Sequence, residues 1–191
     1  MLSGTRPLTA ALIIQVGVIG LALILAWVFG LTPWEKLTWS AQAVGWSVLA
    51  TIPLAVMLFV FPAVRWRWAR EITRLIEDFL LPLFSSAPRG SVVVVSALAG
   101  VGEELLFRGV IQDGLTGVFG PLFAVILASV LFGVAHAVSV AYFIIATLMG
   151  GYLGWLYLQT GNLLVPIVVH ALYDWIAIHF YLLRQARRRC L

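Results

Sequence analysis

The chain has 191 residues, 62% hydrophobic and 10% charged, with mean hydropathy +1.05 and a net charge of +4. That composition excludes an ordinary soluble domain and points to an integral membrane protein. The length suits one bundle of roughly six spans of about 20 residues each, with no sizeable second domain.

Residues 8–29 form the first apolar run, after Arg6. No small-x-small cleavage site precedes Pro33, so a retained span is expected rather than a removed signal peptide. Residues 43–64 form the second run. The stretch "WRWAREITRLIEDFLLPLF", residues 66–84, then mixes Trp and Arg with Ile72, Leu75, Ile76 and Phe79 at helical spacing. It reads as an amphipathic helix in the cytoplasmic interface, an anchoring connector in preference to a substrate gate. Four further spans are expected over residues 91–115, 121–137, 140–159 and 163–183, punctuated by Gly120-Pro121 and Thr160-Gly161-Asn162. The whole chain, 1–191, is thus expected as a single membrane domain. Residues 1–64 supply two N-terminal spans, 65–90 the interfacial helix and 91–183 a four-span core.

Basic residues set the topology. Arg65, Arg67, Arg70, Arg74 and Arg89 lie between the second and third spans, Arg184, Arg187, Arg188 and Arg189 follow the last, and Arg6 precedes the first. Six spans put all of them on one side, so both termini are expected in the cytoplasm, with Lys36 alone outside. The expected fold is therefore an all-α, polytopic transmembrane helix bundle. This distribution assigns the positive charge to topology and leaves no reason to expect a nucleic-acid partner. Cys190 has no second cysteine to pair with, and it stands in the wrong place for a prenylation box.

Ionisable residues inside spans cost on the order of 2.5–3.5 kcal/mol each at mid-membrane and so point to function. The third span carries Glu103, Glu104 and Arg108 within "SALAGVGEELLFRGV". The fourth ends in "LFGVAHA" with Phe132 and His136, and the sixth holds His170 and Asp174 in "VPIVVHALYDW". Glu104 and Arg108 are four apart, acid first, and are expected to pair as a structural clamp. Glu103 is rotated about 100° away and left free, some 18 Å into the span. His170 and Asp174 share a face, whereas His179 is roughly half a revolution round the helix and should point away. Asp113 is expected on the face opposite Glu104, near the outer surface. Phe132 reads as core packing, and Gly100, Gly102, Gly109, Gly150, Gly151 and Gly154 as close-packing positions.

A carboxylate beside an imidazole in a water-poor pocket can act as general base on a trapped water, and a second imidazole can stabilise an oxyanion. Glu103, His136 and His170 therefore support hydrolysis of an acyl bond without a serine or cysteine nucleophile. The sequence requires no cofactor. The same three residues are also a zinc ligand set, although the HExxH spacing that fixes two ligands on one helix is absent.

The order "EELLFR", "FGVAH" and "HALYD" on successive C-terminal spans resembles the CPBP family of CAAX-protease and bacteriocin-processing (Abi) intramembrane endopeptidases. The pattern is EExxxR, FxxxH and HxxxN or HxxxD, and the resemblance covers about residues 91–183. It implies a membrane-embedded peptidase in which Glu103 and His136 activate water while His170 and Asp174 stabilise the oxyanion. Glu104 and Arg108 match the family's second glutamate and its arginine. Asp174 stands where the eukaryotic prenyl-protein proteases have Asn. A peptide or membrane-protein substrate and the lipid bilayer are the implied partners, in a bacterial plasma membrane. The alternatives are a non-catalytic scaffold or immunity-type protein that binds a membrane partner, and a proton-coupled carrier. The carrier is disfavoured because no inverted repeat or matched broken helices appear.

Overall fold

The computed structural model describes residues 5–60, 66–84, 87–88 and 90–189. Arg65, Arg89 and Cys190 lie outside the described residues, as do the side chains of Arg6, Phe79 and Arg189. Among the described residues the chain is helical and carries no strand, as its composition led us to expect.

Helix α1 is Thr5–Phe29 and α2 is Ala41–Val60, joined through a 3-10 turn, Pro33–Lys36. α3 runs over Arg67–Leu75 and continues through a π-helical turn, Ile76–Leu80, into Leu81–Phe84. α4 starts at Ser91–Glu104, widens into a π-helix at Leu105–Gln112 and finishes as Asp113–Phe119. α5 is Pro121–Ala135, α6 is Val140–Thr160 and α7 is Leu164–Arg189.

Local chemistry sets these ends. Gly120 at φ +78 closes α4 and leads into Pro121, whose missing N–H costs nothing in a first turn. Ser139 caps α6 by accepting from the Tyr142 N–H at 3.2 Å, and Gly161 at φ +60 ends that helix. Asn162 Oδ1 accepts from Leu164 N–H at 3.0 Å and from Thr38 N–H at 3.0 Å, which ties the start of α7 to the α1–α2 connection.

Pro7–Phe29, Ala41–Val60, Val140–Thr160 and Leu164–Arg188 are long and apolar enough to cross a bilayer, and Pro121–Ala135 is a shorter apolar helix. The surface is correspondingly greasy: Ile14, Trp27, Phe59, Leu122 and Leu148 are all well exposed. The interior holds Glu103, Glu104, Arg108, Gln112 and His170. Such a surface is stable only against lipid. α4 is the hub, packed on α1, α5 and α7, with α2 against α7 and α5 against α6. Close approach depends on small residues. A Cβ at Gly100 would stand 2.8 Å from the Ile167 carbonyl oxygen, so only glycine admits α7 at this distance. α2 uses the same device, burying Ala43, Ser47 and Thr51 four residues apart. α3 buries Ala69, Ile72, Leu81 and Phe84; of the face its spacing indicates, Ile72 is buried, Leu75 and Ile76 are half-buried, and the Phe79 side chain lies outside the described residues.

Candidate active site

α4, α5 and α7 deliver Glu103, Glu104, Arg108, His136, His170 and Asp174 to one cluster. The pairing expected from the i, i+4 spacing is present: Arg108 Nη1 donates to Glu104 Oε1 at 3.0 Å, with both side chains buried. The pair also has tertiary work. Arg108 Nη2 donates to the Gly150 carbonyl on α6 at 2.8 Å, and the guanidinium lies 4.8 Å from the centroid of the Phe132 ring. Glu104 Oε1 lies 2.8 Å from His170 Nδ1. A carboxylate already held by a guanidinium can only accept, so His170 Nδ1 carries the hydrogen and donates. His170 Nε2 is thereby aimed at Asp174 Oδ2, 3.6 Å away, and at Glu103 Oε2, 4.0 Å away.

His136 is held in the same sense. It caps the end of α5, and its Nδ1 is 2.8 Å from the Phe132 carbonyl, which requires Nδ1–H to donate. Its Nε2 then faces Glu103 Oε2 at 3.3 Å. Two acceptors at that separation repel unless a proton or a water's hydrogen lies between them. Glu103 Oε1 accepts from Gln15 Nε2 at 3.1 Å, whereas Oε2 is buried and makes no hydrogen bond of its own among the described residues. One oxygen of Glu103 is occupied and the other points bare at two imidazole nitrogens. Three carboxylates face one guanidinium here, a formal excess of negative charge that protons on the two imidazoles would offset.

Phe132 does more than fill the core. Its ring stacks on His136 at 4.4 Å, meets His170 edge-on at 5.9 Å and packs on Phe107 at 5.0 Å. It therefore sets the tilt of both imidazoles. Gln15 escaped the sequence reading; the only signal was that it is the one amide in the first apolar run. His179 points away as expected, exposed and bonded to the Trp175 carbonyl at 2.9 Å.

The expectation for Asp113 needs correction. Its Oδ2 meets Lys36 Nζ at 2.6 Å and Tyr157 Oη, on α6, at 2.9 Å, so it faces α6 as Arg108 does. The π-helical Leu105–Gln112 segment turns less per residue than an α-helix, which removes the expected half revolution.

α5 has 15 residues, about 22 Å, which is shorter than a hydrocarbon layer of about 30 Å, and a turn follows it at His136. Beside it lies a cavity of about 210 Å³ between Leu75, Ile76, Leu80 and Leu83 of α3 and Val138 and Tyr142. A larger apolar groove, about 600 Å³ between α4 and α7, is lined by no ionisable side chain. Glu104 and the Phe132 carbonyl hold the two Nδ1 atoms, which leaves Nε2 of His136 and His170 facing Glu103, and no group of three His, Cys, Asp or Glu among the described residues is arranged to hold a metal ion.

Comparison with known proteins gives two matches. The family described as type II CAAX prenyl endopeptidase Rce1-like matches residues 85–176. "Putative membrane peptidase YdiL" of Bacillus subtilis (strain 168) is 34% identical over 80 residues, which are 41% of this chain and 32% of that protein. The match thus spans about a third of that relative's length. No solved structure gives a significant match. The matched segment contains every ionisable residue of the cluster, and the chain is an integral membrane protein whose residues 85–176 are similar to the Rce1-like endopeptidases.

Proposed function

We propose that the chain is an intramembrane endopeptidase that hydrolyses a peptide bond of a membrane-associated protein or peptide. The observation that carries this reading is the bare Oε2 of Glu103, buried and approached by Nε2 of both His136 and His170. Glu104 Oε2 is also bare, but that carboxylate is held through its other oxygen by Arg108 and His170.

In this reading a water held between Oε2 and His136 attacks the scissile carbonyl carbon. As its oxygen bonds to that carbon, Glu103 Oε2 takes one of its protons. The carbonyl double bond opens to an oxyanion, which His170 Nε2–H stabilises in the imidazolium form. Asp174 faces the same nitrogen and favours that form, while Glu104 and Arg108 keep the ring in place. Collapse of the tetrahedral species breaks the C–N bond, and the proton on Glu103 passes to the departing amine nitrogen. We further propose six spans with both termini in the cytoplasm, α3 lying in the interface, and passage of the peptide to His136 through the cavity beside α3. A bacterial plasma membrane is the proposed location.

The deciding experiment uses Glu103→Gln, which keeps the shape and removes the base. Purified into vesicles, it should lose hydrolysis of a quenched-fluorescent peptide library that the native chain cleaves, and it should trap an uncleaved substrate for identification. Cleavage at the native rate by Glu103→Gln ends the proposal. An unchanged phenotype on joint replacement of Glu103, His136 and His170 would favour the scaffold reading instead.

A further inference from the structure

We infer that Gln15 on α1 is a positioning residue for Glu103, so that the chemistry of the matched segment depends on a helix outside it. The inference rests on the proposed role of Glu103 and adds which oxygen performs it. Gln15 Nε2 donates to Glu103 Oε1 at 3.1 Å. Because the amide holds Oε1, the carboxylate plane is set and Oε2 is the oxygen left facing the two imidazoles. A glutamate side chain has free rotation about its last bond, and without a partner on Oε1 the two oxygens would exchange places.

A second observation explains how α1 gets close enough. Gly102, the residue before Glu103, packs directly against α1. A Cβ there would stand 3.0 Å from Ile19 Cγ1 and 3.3 Å from the Gln15 carbonyl oxygen. The missing side chain at 102 thus admits the backbone of residue 15, and the Gln15 side chain spans the remaining gap to the neighbouring carboxylate. Gln15 Oε1 is buried and accepts no hydrogen bond among the described residues, so the Nε2 donor supplies the amide's contact with the cluster.

The test uses the full chain in vesicles and an infrared readout that needs no substrate. The carboxylate stretching band of Glu103 is assigned as the band lost in Glu103→Gln. Gln15→Met, similar in length but without a donor, should shift that band and lower peptide-library hydrolysis about tenfold, the effect of one hydrogen bond to a charged group. Ile14→Val, on the exposed face of α1, should leave both unchanged. Gly102→Ala should move the band in the same direction by displacing α1. A Glu103 band that stays put in Gln15→Met, in protein of native helical content, overturns the inference. A native chain without hydrolysis whose band still shifts in Gln15→Met removes the peptidase reading and upholds the hydrogen bond.

Discussion

Glu104 and His170 meet at 2.8 Å across the α4–α7 interface, on the same carboxylate oxygen that Arg108 engages. The contact joins what spacing alone presents as two separate pairs, Glu104 with Arg108 and His170 with Asp174. It makes Arg108 the anchor of an imidazole one residue removed.

That arrangement predicts the behaviour of Arg108. Arg108→Leu leaves Glu104 buried without its cation and the Gly150 carbonyl without a donor, and should destabilise the fold by about 3–5 kcal/mol. The double variant Glu104→Gln with Arg108→Met should recover much of that stability yet hydrolyse poorly, because His170 loses its fixed acceptor. Denaturant titration of both proteins in detergent, beside peptide hydrolysis, checks the pair. Equal stability of the single and double variants would contradict the account.

His136 should separate activity from stability. Its side chain is 26% exposed and its loss opens no deep cavity. His136→Ala is expected to lower hydrolysis by roughly 10²–10⁴-fold, the usual worth of an acid–base group. Melting should move little. A variant that melts far below the native chain would mean that the imidazole is a packing element instead.

Asp174 sits 3.6 Å from His170 Nε2, beyond good hydrogen-bond range. Asp174→Asn, which keeps the shape and can still accept at the same place, should therefore retain hydrolysis within about tenfold, a change of about 1 kcal/mol. Asp174→Leu should lose more. Rate measurements on the two variants give the order, and a more active Leu variant would refute it.

Gly100 predicts a packing effect with no chemistry attached. Gly100→Val places methyl groups where the Ile167 carbonyl and Ala171 already stand, and should cost about 1–3 kcal/mol or more as α4 and α7 part. Hydrolysis should fall with it, since those two helices carry Glu103 and His170. Gly17→Ala, which meets nothing within 4 Å, is the control in the same thermal assay.

The outer ion pair is the contrasting case. Lys36, 47% exposed, meets Asp113 at 2.6 Å, and Lys36→Met should cost under about 1 kcal/mol and lose its effect in high salt. A larger cost, unaffected by salt, would show that the link to Tyr157 matters more than the charge.

Several of these features were legible in the chain before any coordinates. The six apolar runs reappear as helices within a few residues of their expected ends, except the second, which ends at Val60 before the undescribed residues 61–65, and the sixth, whose helix runs on to Arg189, six residues past its expected end. Glu104 with Arg108 and the outward His179 also follow from one helix's own periodicity. These are properties of single segments. Apolar length is set by the thickness of lipid, and the face a residue occupies is set by 3.6 residues per turn wherever the helix stays regular.

What runs between segments had to wait for the fold. The reach of Gln15 to Glu103 depends on the close seating of α1 on Gly102, and the grip of Glu104 on His170 depends on the seating of α7 against Gly100. Asp113 went to the other face because a π-helical turn broke the regular period, which no residue pattern announced. Hydropathy and helical phase are local and survive in a one-dimensional reading. The register, rotation and distance of one helix against another are chosen by packing of the whole bundle, and the proposed chemistry is a property of that packing.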